Sequence, residues 1–401
     1  MYQYIENGSI TSAKGFKAAG IFCGIKRKKK DLALVYSENP CTAAGTYTLN
    51  KVKAPPLLIT QEAVKKSGYV KAILVNSGNA NACTGDEGFQ DGYSMQKSCA
   101  EKLGINSDEV LIGSTGVIGQ KLPVEKIING LDEIIPKLSC AGGFDAAEAI
   151  MTTDTKIKSY AVNVKTFKGE CNIGGICKGS GMIMPNMATM LAFISTDAEI
   201  EKPLLQELLS DAVKISFNKI SVDGETSTND MALLLANGAA QIKIEKGTAE
   251  YFSFKEALED ICKEMAKSIV SDGEGATKLV TINVKNAPTQ IDADLIGKSI
   301  ANSSLVKTAI YGADANWGRI LSAAGQSGAD FDPSKVSISF NDLPILLPSY
   351  KFAFDEVKAS EILSQPNFEI NVDLNYGSEE ATWWTCDLTE EYVKINADYR
   401  T

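Results

Sequence analysis

Fourteen consecutive residues, Gly181 to Ile194, carry no charged side chain, so the fold has to cover an apolar run near the middle of the chain. Neither this run nor any other reaches the roughly 18–20 apolar residues that cross a bilayer. The cover must come from the protein's own strands and helices. The run is also interrupted by Pro185, Asn186 and Thr189. A buried strand disfavours all three, proline most of all because it lacks the ladder N–H. Thr189 follows the small residue Ala188. Either Thr189 is a hydroxyl in a core strand, or the chain is cut before it and Thr189 becomes an N-terminal nucleophile.

Composition limits the bases that could serve such a nucleophile. The chain contains no histidine. Ser-His and Cys-His catalysis, a histidine general base and histidine-ligated zinc are therefore excluded. A lysine, a carboxylate or an α-amine remains. An α-amine has an ordinary pKa of about 7.7–8.0, against about 10.4 for lysine, and needs much less tuning near neutrality.

The other bulk properties are those of a soluble globular protein. With 401 residues, 44% of them hydrophobic and 22% charged, the chain can form two domains or one large α/β body. The net charge of −10 argues against a nucleic-acid partner, and the run Lys26-Arg-Lys-Lys-Lys30 reads as a solvated turn. Nine cysteines without a C-x-x-C pair indicate neither a disulfide framework nor a zinc site. No basic-then-apolar signal opens the chain, so a reduced, cytoplasmic setting with no membrane partner is expected.

Strands and helices alternate in both halves, and no domain boundary is evident. Residues 1–60 read as short strands and turns. A strand at Lys71–Asn76 runs into a Ser/Gly/Asn loop, and a helix is expected from Asp86 to Leu103. The strand Glu109–Gly113 leads into Ser114-Thr-Gly-Val-Ile-Gly119. That segment is a Gly-rich turn or a set of backbone N–H groups presented to a developing oxyanion. A short helix at Asp145–Met151 is followed by a hairpin of Ser159–Thr166 with Cys171–Cys177, which enters the apolar run. Beyond it come a helix at Pro203–Phe217 and the polar segment Asp223–Asp230, a capped loop or a cation-binding one. Next are a strand at Asp230–Ala236, a helix at Ala249–Ser271 and a turn holding Glu274 between two glycines. A strand (Lys278–Val284), helices at 290–303 and Ile320–Ala324, and strands at Val336–Phe340, Phe368–Val372 and Ala381–Leu388 complete the chain.

A threonine hydroxyl needs an adjacent base to attack a carbonyl. If the 188–189 bond is broken, the freed amine of Thr189 supplies that base beside its own Oγ. Cleavage by an N→O shift requires a small residue before the threonine and a gripped turn around it, which Ala188 and Pro185-Asn186 can provide. Ser94-Met-Gln-Lys97 has serine–lysine spacing but falls in mid-helix, and no phosphate-loop or nucleophile-elbow pattern occurs.

Six segments together carry a resemblance. They are Gly113-Ser-Thr-Gly116, Met151-Thr-Thr-Asp154, Lys178-Gly-Ser-Gly-Met with Pro185-Asn-Met-Ala-Thr-Met-Leu-Ala-Phe193, Asp272-Gly-Glu-Gly-Ala-Thr-Lys278, Asn316-Trp-Gly-Arg319 and Asn396-Ala-Asp-Tyr-Arg-Thr401. In this order they resemble the ornithine acetyltransferase family, the self-processing glutamate N-acetyltransferases of arginine biosynthesis. Met184 stands where alanine is common, and the segment at Cys41–Tyr47 matches more loosely.

The resemblance implies an α/β mixed (α+β) fold, a layered sandwich of mixed sheets and helices similar to N-terminal-nucleophile hydrolases. It implies self-cleavage into an α chain (1–188) and a β chain (189–401) that stay together as an α2β2 assembly. Thr189 would carry the acetyl group from N2-acetylornithine to glutamate, with Thr115 and Gly116 stabilising the oxyanion. Thr152, Lys178, Thr189, Glu274, Asn396 and Thr401 would contact substrate. By charge, Lys178 suits the α-carboxylate and Glu274 the ornithine ammonium. No metal or other cofactor is implied. Acetyl-CoA is a second donor for some members, and no residue here separates them from the rest. The rival reading is a self-processing N-terminal-threonine amidase or aminopeptidase, in which water accepts the acyl group.

Overall fold

The computed structural model describes residues 1–66, 68–184, 190–352 and 354–398. Its strands are β1 (Tyr2–Tyr4), β2 (Phe16–Ile21), β3 (Leu32–Tyr47), β4 (Val70–Asn79), β5 (Val110–Val117), β6 (Lys158–Thr166), β7 (Gly169–Lys178) and β8 (Leu191–Thr196). There follow β9 (Ile220–Ser221), β10 (Met231–Ala236), β11 (Leu279–Ala287), β12 (Ser337–Phe340), β13 (Leu343–Leu346), β14 (Asn367–Asp373) and β15 (Glu379–Cys386). The helices are α1 (Pro55–Lys66), α2 (Gly85–Leu103), α3 (Val124–Ile134), α4 (Gly143–Ala149), α5 (Lys202–Ile215) and α6 (Ala249–Ser271). The C-terminal part adds α7 (Gln290–Asn302), α8 (Ser304–Tyr311), α9 (Trp317–Gly325), α10 (Glu356–Leu363) and α11 (Glu390–Asp398).

These elements form two sheets, and the mixed, layered α/β architecture expected from the sequence is the one observed. A nine-stranded sheet has the order β1-β6-β7-β8-β10-β3-β4-β5, with β2 beside β3. A six-stranded sheet, β13-β12-β14-β11-β15-β9, is built from the chain beyond residue 219. The end of the apolar run is β8, which pairs antiparallel with β7 and parallel with β10. Both β8 and β10 are buried on both faces, which is why they read as unbroken apolar stretches instead of alternating ones. Ala192 and Ile194 face α5 and α6, and Leu191 and Phe193 face the opposite core with Val75 and Leu111.

Helix α6 joins the two sheets. Its buried side, including Phe254, Leu258 and Met265, shares one core with Val162 of β6, Ile173 of β7 and Trp384 and Cys386 of β15. The preceding residue in β15, Trp383, turns to the second core beneath α7, with Ile296 and Val280. Further along the large sheet, α2 and α3 cover Leu34, Leu74 and Ile112, which alternate with Val75 and Leu111 of the shared core. All nine cysteines are free thiols. Among the described residues no helix is long and apolar enough to cross a membrane.

Several local expectations change. The first 60 residues contain one 16-residue strand, β3, and the start of α1. Helices α8, α10 and α11 and strand β13 were not evident as periodic patterns. The basic run is only partly a solvated turn: Arg27, Lys28 and Lys29 are exposed, but Lys30 pairs with Asp145 and Glu148, and Lys26 is half-buried. Because Phe193 is fully buried in a central strand, replacing it with alanine should lower the unfolding free energy in a urea titration by about 3–5 kcal/mol.

Candidate active site

Strand ends from two parts of the large sheet gather the chemistry. β4 and β5 end beside the start of β3. β7 ends, and β8 and β10 begin, beside the end of β3, where Lys178 pairs with Leu191, Leu191 with Met231 and Met231 with Tyr47. The two parts of the sheet, on either side of the irregularity in β3 between Tyr36 and Cys41, face each other across a shared core and bring these strand ends together. A cavity of about 260 Å³ opens at these ends. Its lining includes Thr115, Gly116, Thr152, Lys178, Glu274 and Asn396, six positions that the sequence singled out from segments far apart. Ala188, Thr189 and Thr401 lie outside the described residues. Met190, the residue after Thr189, is buried and lines the same cavity.

Thr115 and Gly116 do not sit in a turn. They continue β5, in parallel register with Ser77 and Gly78 of β4. Gly116 has φ +132°, and a Cβ on it would lie 2.4 Å from the Gly78 carbonyl carbon, so only glycine allows this approach. Side chains hold the strand end in place. Ser114 Oγ donates to Asn76 Oδ1 at 2.6 Å, and Asn229 Nδ2 donates to the carbonyls of Ser114 at 2.9 Å and Ala80 at 2.6 Å. A fixed backbone of this kind is suited to stabilising charge without reorganising.

Lys178, at the end of β7, is only 8% exposed. Its ammonium donates to Thr115 Oγ1 at 3.4 Å and lies 4.0 Å from Asp154. Burial pushes its pKa down, against the pull of Asp154. Burial would by itself raise the Asp154 carboxyl. Lys178 and Lys158 override that and hold it well below the usual carboxylate range. Asp154 also accepts the N–H groups of Thr152 at 2.9 Å and Gly179 at 2.7 Å. Lys158 bridges Asp154, at 2.8 Å, to Asp272. Asp272 in turn accepts the N–H of Thr155 at 3.0 Å and its hydroxyl. The Met151–Asp154 segment thus presents Thr152 and Thr153 to the cavity while its aspartate anchors two lysines.

Glu274 arrives from the end of α6 and is 7% exposed. Its N–H donates to the Ser180 carbonyl at 3.0 Å, and its carboxylate accepts from Asn396 Nδ2 at 2.8 Å. Gly181 makes room for it: a Cβ there would sit 2.4 Å from the Glu274 carboxyl carbon. The placement of Asn396 depends on the tail, because Thr389 Oγ1 donates to the Gly275 carbonyl at 2.8 Å and starts α11 beside the Glu274 turn.

Two further residues contribute, Asp223 from the polar segment with two open readings and Tyr392, which no sequence pattern marks. Asp223 lines the cavity and accepts the N–H groups of Met182 at 2.6 Å and Ile183 at 2.7 Å, gripping the chain ahead of the 185–189 segment. Tyr392 of α11 donates to the same carboxylate at 3.3 Å. The density of hydroxyls and carboxylates in 223–230 was the available signal for Asp223; Tyr392 had none. Among the described residues, Asp223, Glu225, Asp230 and Glu274 against a single lysine make an acidic lining with one cationic point, a pattern that suits a ligand bearing both a carboxylate and an amine. Ser94, by contrast, donates to the Gln90 carbonyl on the exposed face of α2.

The ArgJ family model matches residues 17–401. The arginine biosynthesis bifunctional protein ArgJ of Caldanaerobacter subterraneus subsp. tengcongensis is 50% identical over 402 residues, covering 99% of this chain and all of its own length. Its counterpart from Streptococcus thermophilus is 46% identical over 398 residues, covering 99% and 100%. Among solved structures, the arginine biosynthesis bifunctional protein ArgJ of Bacillus halodurans is 46% identical, with 47% of this chain and 98% of that chain covered and a TM-score of 0.45. The ornithine acetyltransferase of Mycobacterium tuberculosis, crystallised with ornithine, is 38% identical over 47% of this chain and 100% of that one, with a TM-score of 0.44. With the family model matched almost end to end and near-half identity over whole relatives, this chain belongs to the ArgJ family.

Proposed function

We propose that this protein transfers an acetyl group from N2-acetylornithine to glutamate in arginine biosynthesis, through an acetyl ester on Thr189. One observation carries the reading: six of the expected residues, drawn from both sides of the Ala188–Thr189 bond, line one cavity next to Met190. The relatives' names place them in arginine biosynthesis and call them bifunctional, which supports acetyl-CoA as a second acetyl donor. No metal or other cofactor takes part in this scheme, and the cytoplasm is the expected setting.

Processing comes first. Thr189 Oγ attacks the Ala188 carbonyl carbon, the C–N bond breaks as the ester forms and the freed Thr189 amine takes up the hydroxyl proton. Water then hydrolyses the ester to give the Ala188 carboxylate and the free Thr189 hydroxyl. The fragments 1–188 and 189–401 would stay joined, because β8 pairs with β7 and β10 with β3 in a single sheet. An α2β2 assembly is the proposed final form.

In turnover the free α-amine takes the Thr189 hydroxyl proton as Oγ attacks the acetyl carbonyl. Thr115 and the Gly116 backbone stabilise the resulting oxyanion. The amide C–N bond breaks, ornithine leaves with the proton, and acetyl remains on Oγ. The glutamate amine then attacks that ester, the acetyl C–Oγ bond breaks, the amine's proton passes through the Thr189 α-amine to Oγ, and N-acetylglutamate leaves. Lys178 holds the α-carboxylate common to donor and acceptor, Glu274 with Asn396 holds the ornithine side-chain ammonium, and Thr152 and Thr401 complete the substrate contacts.

Incubation with N2-acetylornithine, with and without glutamate, tests the acceptor. N-acetylglutamate should form and acetate release should be slow; acetate release indifferent to glutamate would establish the amidase instead. Thr189→Ala should run on a denaturing gel as one intact 42.9 kDa chain and transfer nothing, and splitting of that variant at the same bond would refute the nucleophile assignment. Glu274→Gln removes the charge facing the ammonium. It should lower kcat/KM for acetylornithine by about 10–100-fold, measured by ornithine release.

A further inference from the structure

Lys26 opens the basic run that the sequence suggests is solvent-facing, but its ammonium is turned inward. It donates to the Met151 carbonyl at 2.6 Å and to the Lys30 carbonyl at 2.8 Å. The Met151 carbonyl belongs to the peptide whose N–H, on Thr152, donates to Asp154 at 2.9 Å. That one peptide plane is gripped by a cation at its oxygen and an anion at its nitrogen. Charge-assisted bonds at both ends leave it little freedom to rotate, and Thr152 is the residue it delivers to the cavity.

The Lys26 stem has a second contact. A Cβ built on Gly78 would lie 3.0 Å from Lys26 Cγ, so the stem rests on Gly78, the residue in register with Gly116. The loop holding Lys26 is itself pinned. Asp31 accepts the N–H groups of Cys23 at 2.6 Å and Lys26 at 2.8 Å, and its own carbonyl accepts from Ser77 at 2.9 Å. Lys26 does not line the cavity, yet it touches both walls from behind: the Thr152 segment and the Gly78–Gly116 crossing.

We propose that Lys26 is a positioning residue for acetyl transfer, fixing the Met151–Thr152 peptide with its ammonium and bracing Gly78 beneath Gly116 with its stem. The proposal rests on the acetyl-transfer reading above. The charges acting on Lys26 are Asp31 and Lys29 of its own loop, Asp154 beyond the peptide it holds, and Lys178 at the end of β7; burial, the largest influence, pushes its pKa down to about 8. The ammonium is therefore present below that pH and lost above it. An arginine, with an ordinary pKa above about 12, stays cationic throughout.

The test uses the full-length protein and its Lys26→Met and Lys26→Arg variants, assayed for acetyl transfer from N2-acetylornithine to glutamate between neutral and alkaline pH, with urea unfolding as the check on folding. Lys26→Met should lower kcat/KM about tenfold, mainly through KM for acetylornithine. In the unmodified protein kcat/KM should fall as pH rises through about 8. Lys26→Arg should keep a near-normal KM at neutral pH and move that alkaline limb upward. A Lys26→Met protein with unchanged KM and an unchanged limb would overturn the proposal. If Lys26→Met does not fold, Lys26→Arg decides alone, and an unmoved limb overturns it. Failure of the unmodified protein to transfer acetyl would strike the acetyl-transfer reading itself, whereas normal transfer in every variant would strike only the role of Lys26.

Discussion

The carboxylate of Asp154 is the interaction on which the site depends. It is fully buried, it meets two lysine ammonium groups, and it accepts two backbone N–H groups, those of Thr152 and Gly179. Burying such a cluster costs desolvation that its attractions roughly offset, so net stability is a weak reason for its presence. Geometry is a better one. A charge surrounded by fixed partners has one low-energy arrangement, and here that arrangement sets where Thr152 and Lys178 stand. Asp272 extends the same network through Lys158 to the end of α6, from which Glu274 projects.

The sheet explains how a cut chain could keep this arrangement. The strands before residue 185 and those after 189 alternate within it, since β8 and β10 lie between β7 and β3. Separating the two parts would expose both cores that meet on β8 and break two inner strand pairings, β7 with β8 and β10 with β3. Cleavage one bond before Thr189, whose successor Met190 lines the cavity, would leave the strand pairings of β7, β8 and β10 in place. The second sheet belongs wholly to the later part and meets the first through α6; Glu274, just after α6, and Tyr392 and Asn396 of α11, after β15, join the cavity lining.

Much of this was legible in the chain. Regular, strongly periodic elements such as α2, α6 and the β6–β7 hairpin were readable because their burial follows simple periods. The interrupted apolar run is seen only in part: Pro185, Asn186 and Thr189 lie outside the described residues, while Met190 lines the cavity and β8 begins at Leu191. Other features depend on contacts that no local pattern encodes. Thr115 and Gly116 looked like a turn because glycines punctuate the segment. In the fold those glycines permit two backbones to touch, and the strand continues. Lys26 looked like one charge among five, and only the approach of Met151 and Gly78 turns it inward. Asp223 was visible as part of a polar segment, but its grip on Met182 and Ile183 comes from a chain crossing about 40 residues away in sequence. Tyr392 sits on a helix with no buried residue, so hydrophobic periodicity could not find it.

The central claim is that Thr189 carries the acetyl group between donor and acceptor. The most direct measurement is the intact mass of the 189–401 fragment after brief exposure to N2-acetylornithine without glutamate. It should gain the mass of one acetyl group, located by fragmentation to Thr189, and lose it when glutamate is added. An unmodified fragment in a preparation that still converts glutamate to N-acetylglutamate from the same donor, or an acetyl group found on another residue, would contradict it.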